Sequence, residues 1–362
     1  MDMLWVASRK GLFRFSANGS GGWRQAGEPE FLAQPVTAVL DDPRDGAVYV
    51  ALRLGHFGCK LHRSDDRGAS WTELAPPAYP ATGAEDAPAL DMIWTLAAGG
   101  VDQPGLIWAG TLPGGLFVSR DRGDSWALIE SLWDRPERAR WFGGGYDHPG
   151  IHSILVDPRD SRRLTVGVSC GGVWLSDDGG VSWHQGGQGL RAEFLPPDLA
   201  YDPVSQDPHL IAACRTDPDR VWCQHHNGIF VSSDRGRTFS EITDVKPSAF
   251  GFAVVAHPDR PDWAWFAPGV KDECRVPVGG RLEVTHTRDG GVRFARLTTG
   301  LPDRNCYDLI YRHALVCDDT GQRLAMGSTT GNLWLSPDGG ENWQLLSSTL
   351  PPIAQLAFAG RA

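Results

Sequence analysis

SDDRGASW, at Ser64–Trp71, is the first intact copy of a pattern that recurs along the chain. The later copies are SRDRGDSW (Ser119–Trp126), SDDGGVSW (Ser176–Trp183), SSDRGRTF (Ser232–Phe239), TRDGGVRF (Thr287–Phe294) and SPDGGENW (Ser336–Trp343). A decayed copy, SANGSGGW, lies at Ser16–Trp23, with Asn18 for the aspartate and Ser20 for the glycine. Successive starts are 48, 55, 57, 56, 55 and 49 residues apart. A period of about 50 residues marks supersecondary units arranged in a stack or ring. Each copy sits between short apolar runs, such as LFVS and ALIE around the Ser119 copy, which reads as strand, tight turn, strand.

Within each turn the aspartate can accept backbone N–H groups. The glycine supplies a backbone angle that other residues resist, and the closing aromatic can pack across the hairpin. Asp66, Asp121, Asp178, Asp234, Asp289 and Asp338 are therefore read as structural. The 44 glycines and 26 prolines, with few segments fit for long helices, indicate an all-β chain.

The pattern resembles the Asp-box, or BNR repeat, of sialidases, other glycoside hydrolases and non-enzymatic propellers. The resemblance runs essentially the whole length of the chain and implies a β-propeller. Unit four shows the expected blade: SILV (Ser153–Val156) as strand A, LTVGVS (Leu164–Ser169) as B, VWLS as C and a D strand near His184. The chain begins with a B-like run, Leu4–Ser8, and finishes with an A-like run, Ile353–Ala359. Pairing the two gives a seven-bladed propeller over residues 1–362, closed by the C-terminal strand joining the N-terminal blade, which removes exposed sheet edges.

A net charge of -10 without a basic stripe argues against nucleic acid. No apolar run is long enough for a membrane span. The N-terminus lacks signal-peptide character, and seven cysteines at irregular spacing suit free thiols. A cytoplasmic protein is expected.

Strand direction puts A–B turns and boxes on one face, and B–C turns and D–A loops on the other. A site is expected on the second face, where the loops 131–151, 189–209 and 269–281 are long. Substrate-binding candidates are Arg53, Arg215, Trp141, His225, His226, Asn227 and Arg304, with Arg138, Arg140, Arg191 and Arg275 on the same rim. Arginine pairs with carboxylates, which would suit an acidic sugar. Tyr146, Tyr201 and Tyr307 are rim tyrosines. By resemblance to sialidases, Tyr307 with Glu273 would supply nucleophile and partner, and His152 is the third catalytic candidate. His56, His148, His152, His225 and His226 read either as hydrogen-bonding caps or as metal ligands assisted by Asp147, Asp272, Glu273 or a cysteine. No HExxH or CxxC motif supports the latter, so no metal or cofactor is expected.

The likeness to sialidases stops at blade number, since those are six-bladed, and SRKG (Ser8–Gly11) stands where their Arg-Ile-Pro segment would be. Seven-bladed Asp-box xyloglucanases pair two propellers and work in the cleft between them. The overall resemblance is to single-domain bacterial BNR-repeat glycosyl hydrolases. It implies a carbohydrate-active enzyme, a hydrolase or a lyase, with a carbohydrate or small-molecule ligand. The alternative is a non-catalytic propeller that binds a protein partner in assembly.

Overall fold

The computed structural model describes residues 2–18, 22–81 and 87–360. They form seven four-stranded antiparallel sheets. Blade one joins the two termini: Ile353–Phe358 is strand A, followed by Met3–Ser8, Gly11–Ala17 and Trp23–Gln25. The closing pair runs from Leu4 opposite Phe358 to Ser8 opposite Ile353, with a register shift between Ala7 and Ser8. The A strands of blades two to seven are Val36–Asp41, Met92–Ala98, Gly150–Val156, Pro208–Ala213, Gly251–Ala256 and Leu315–Cys317. Each A strand neighbours the A strands on either side, and the seventh meets the first, so the ring closes around a channel lined by these strands. In blade four the B strand is Leu164–Ser169, as read from sequence, and strand A starts earlier, at Gly150.

The box turns explain the repeat. In the Ser176 copy, Ser176 Oγ donates to Asp178 Oδ1 (2.8 Å) and accepts the Gly180 N–H (2.8 Å). Asp178 Oδ1 accepts the Ser182 N–H (2.9 Å), and its Oδ2 accepts the Ser182 hydroxyl (2.5 Å). The other five intact copies repeat the serine or threonine bonds and the N–H bond to the aspartate. These donors hold the Asp178 carboxyl down at about 2. In the decayed copy Asn18 Oδ1 accepts the Gly22 N–H (2.8 Å), while Ser20 lies outside the described residues.

The box also joins blades. Gly68 has φ +85°, and a Cβ there would stand 2.7 Å from the Trp5 ring of the blade before. Trp5, Tyr49, Trp108, Trp174, Trp222, Trp265 and Trp334, one per blade, are among the largest fully buried side chains. Each would contribute roughly 150–250 Å² of buried area, so the core is a ring of aromatic layers between sheets. No helix among the described residues is long and apolar enough to cross a membrane.

Candidate functional site

On the face opposite the boxes, the first residues of several A strands converge with long-loop residues. Asp207 closes the loop before strand A of blade five and is almost fully buried. Its backbone N–H donates to His225 Nε2 (3.1 Å), and its carbonyl accepts the His226 N–H (3.0 Å). Asp207 Oδ1 accepts the Ser169 hydroxyl (3.2 Å) and the Cys170 N–H (3.1 Å). Asp207 Oδ2 instead faces His209 Nε2 at 3.4 Å and His226 Nδ1 at 3.5 Å. Burial opposes the Asp207 charge, yet the histidines and the nearby Arg312 guanidinium hold its carboxyl well below the ordinary range.

His209 is fixed from behind: Nδ1 lies 2.7 Å from the Gly251 carbonyl, and the ring stacks on Phe252 at 4.3 Å. His226 is 21% exposed and lies between Phe194 (5.0 Å) and Phe250 (6.1 Å). Asp207, His209 and His226 together offer three ligand atoms within 4.8 Å of one another.

Arg312 enters from the segment before strand A of blade seven and is 9% exposed. Its guanidinium lies 4.8 Å from the Trp94 ring and 5.7 Å from Phe252. It makes no ion pair among the described residues, and its Nε has no hydrogen-bond partner there. Burial lowers its pKa from the usual arginine value, partly offset by Asp207. Trp94 also packs against Tyr146 (5.2 Å) and His152 (5.6 Å). Phe252 meets Tyr311 at 4.8 Å. The result is an aromatic wall with a buried cation set into it that has no ion pair among the described residues and is balanced in part by Asp207.

The structure brings only part of the expected set together. His152 is fully buried beside this wall, with Nδ1 2.8 Å from Ser153 Oγ and Nε2 unpartnered among the described residues. His225 is buried and braces the Asp207 backbone against Phe230. Asn227 Oδ1 caps the Glu193 N–H (2.8 Å), a loop-fixing role. Arg53 is held by Asp91 in a bidentate pair (3.0 and 2.8 Å) and lies 5.8 Å from the Tyr146 ring. Arg275 is paired with Asp272 and reaches the Tyr311 hydroxyl (3.3 Å).

Other candidates fall elsewhere. Arg215 follows strand A of blade five, so it lies in an A–B turn on the box face, bonded to Asp259 (2.8 Å). The expectation that it reaches the channel mouth is corrected by strand direction. Trp141 packs on Trp174 at 5.9 Å inside a blade core. Glu273 and Tyr307 are exposed, at 75% and 68%, and no hydrogen bond joins them; Glu273 faces Lys271 at 3.4 Å. Arg304 is exposed beside Asp303. His56 and His148 are exposed on their loops. Two cavities, of about 810 and 260 Å³, open on the box face instead. The larger is lined by Met3, Arg67, Asp318, Arg323 and Phe358, and the smaller includes Arg215 and Asp157. Residues missed in sequence are Asp207, His209 and Arg312. The available signal was the pairing of DPH, at the end of a long D–A loop, with HH at 225–226.

Ring and turns together define the class: this is a seven-bladed β-propeller built of Asp-box hairpins. The BNR-Asp box repeat model matches residues 229–242, within blade five. The oligoxyloglucan-reducing end-specific xyloglucanase of Emericella nidulans is 28% identical over 257 residues, 70% of this chain and 27% of that protein. The match thus spans about a quarter of the curated relative's length. The crystal structure of an ancestral GH74 enzyme aligns with a TM-score of 0.58 at 15% identity, covering 99% of this chain and 40% of that one. YCF48 bound to D1 peptide aligns with a TM-score of 0.53 at 13% identity, over 93% and 87% of the two chains. These last two likenesses are of fold.

Proposed function

We propose that this propeller is a carbohydrate-active enzyme that takes an acidic saccharide at the channel mouth opposite the boxes. The observation that carries the reading is Arg312: a buried guanidinium without an ion-pair partner among the described residues, walled by Trp94 and Phe252. An unpaired cation in a low-dielectric wall is costly unless an anion completes it. A carboxylate matches the guanidinium fork, and aromatic faces suit the apolar face of a sugar ring. The xyloglucanase likeness supports a saccharide as the ligand class.

Hydrolysis needs two carboxyl groups flanking the bond. Here Asp207 is the buried carboxylate of the cluster, while Asp91 and Asp272 are bound by Arg53 and Arg275. A cluster of histidine, tyrosine and arginine around one carboxylate favours elimination from a uronic acid. In that reading Arg312 neutralises the sugar carboxylate, and a tyrosine or histidine beside it removes the C5 proton. A C4–C5 double bond forms, and the C4–O bond breaks with its electron pair leaving on the departing sugar oxygen, which takes up a proton.

The test is incubation with uronic-acid oligosaccharides and, separately, with xyloglucan oligosaccharides, following new reducing ends and the ultraviolet absorbance of an unsaturated product. Cleavage of the acidic set with absorbance supports elimination. New reducing ends without absorbance replace it with hydrolysis. Cleavage only of the neutral xyloglucan set removes the acidic-sugar reading, and binding without cleavage returns the protein to the non-catalytic class.

A further inference from the structure

The two histidines around Asp207 stand farther from its carboxylate than charge-assisted hydrogen bonds would place them. The Gly251 carbonyl can only accept, so His209 Nδ1, at 2.7 Å, carries a proton. In the neutral ring the Nε2 lone pair then faces Asp207 Oδ2, 3.4 Å away. Two electron-rich atoms would confront each other in a nearly dry setting. A doubly protonated ring would relieve this, but a charge-assisted N–H to carboxylate bond closes to about 2.7–2.9 Å. Both histidines stand off instead, at 3.4 and 3.5 Å from the same oxygen. Two ligands each about 2.0–2.1 Å from a tetrahedral ion lie roughly 3.3 Å apart. The two histidine-to-carboxylate separations match that spacing, and all three ligand atoms lie within 4.8 Å of one another.

The supporting shell is also that of a metal site. Bound histidines commonly donate their second nitrogen to a carbonyl, and bound carboxylates are themselves hydrogen-bonded. His209 does the first through Gly251, and Asp207 the second through Ser169 and Cys170. The geometry points to a divalent first-row transition ion held by Asp207 Oδ2, His209 Nε2 and His226 Nδ1, with its remaining positions open. Two imidazoles and one carboxylate suit zinc, iron, nickel or manganese rather than calcium or magnesium. The partial exposure of His226 gives the ion a way in. With Arg312 in electrostatic reach of Asp207, ion and guanidinium together exceed the carboxylate charge, so the open positions call for an anionic oxygen ligand. The metal site stands on these three residues; only the nature of its ligand rests on the acidic-saccharide reading.

The experiment is titration of chelator-treated, full-length protein with Co²⁺ alone, read by visible absorption, followed by competition with Zn²⁺ and Mn²⁺ and by metal analysis after dialysis. One ion per chain is expected. His226→Phe keeps a ring between Phe194 and Phe250 but removes a ligand nitrogen, and should weaken Co²⁺ binding at least 100-fold while the chain stays folded by circular dichroism. His148→Gln, an exposed histidine on the same face, should leave binding unchanged. The assignment is overturned if wild-type protein retains no ion, or if folded His226→Phe binds as tightly as wild type. If His209→Gln fails to fold, the His226 variant still decides. Because no saccharide is present, this result and the saccharide test can fail independently.

Discussion

Acid should unfold this propeller through its buried histidines well before its carboxylates titrate. His286 is buried against Trp265 (ring separation 4.5 Å), and burial pushes its pKa down to about 3. His313 is brought down to about 4, first by burial, although its bond to the His152 carbonyl acts the other way. Burial likewise takes His225 down to about 3. An unfolded histidine titrates near pH 6.5. For these groups the folded pKa is depressed, so stability is complete above about pH 6.5 and is lost as pH falls toward the folded values. Between pH 7 and 5 the unfolded chain gains about 1.9 kcal/mol of protonation free energy at each such site, which the folded chain forgoes. Two sites give about 4 kcal/mol and three about 6, against a total stability of about 5–15 kcal/mol for a native domain. Urea denaturation in chelator at pH 7, 6 and 5 measures this directly. Near pH 5.5 the slope should reach about 3–4 kcal/mol per pH unit, and His286→Phe should reduce it by about 1.2. A stability constant within 1 kcal/mol across the range, or a slope unchanged in His286→Phe, refutes the reasoning.

Deleting the chain after Leu350 removes strand A of blade one, including buried Ile353 and Leu356 and the Gln355 clamp on Val39. Two aliphatic side chains alone are worth about 3–6 kcal/mol, so the truncated chain should be found aggregated or unfolded by size exclusion. Asp234→Ala strips the acceptor from Ser232 Oγ, Thr238 N and Thr238 Oγ1, and should cost about 1–3 kcal/mol in denaturant midpoint analysis without changing saccharide affinity. Arg312→Met should abolish acidic-saccharide binding in calorimetry while the chain stays folded, the relief of burying the guanidinium being opposed by the loss of its field at Asp207. Arg215→Ala, on the box face, should leave that binding intact.

What the sequence determined by itself is whatever its local pattern encodes. A box turn is built from contacts two to four residues apart, so Ser176, Asp178, Gly180 and Ser182 announce their own hydrogen bonds. Counting such turns gives seven blades, and two incomplete termini that must bury an apolar face predict their own pairing, as Leu4–Ser8 and Ile353–Phe358 show. The site is different in kind. Arg312, Trp94 and Phe252 come from three blades, 60 to 218 residues apart, and no local pattern ties them. Asp207 and His209 are near neighbours, but their geometry toward His226 depends on how the B–C turn folds back over strand A. Arg215 illustrates the converse: its residue type suited a carboxylate, and only the direction of its strand sent it to the other face. Blade number follows from short-range hydrogen bonding, whereas which charges are left without an ion pair is settled only by packing the whole ring.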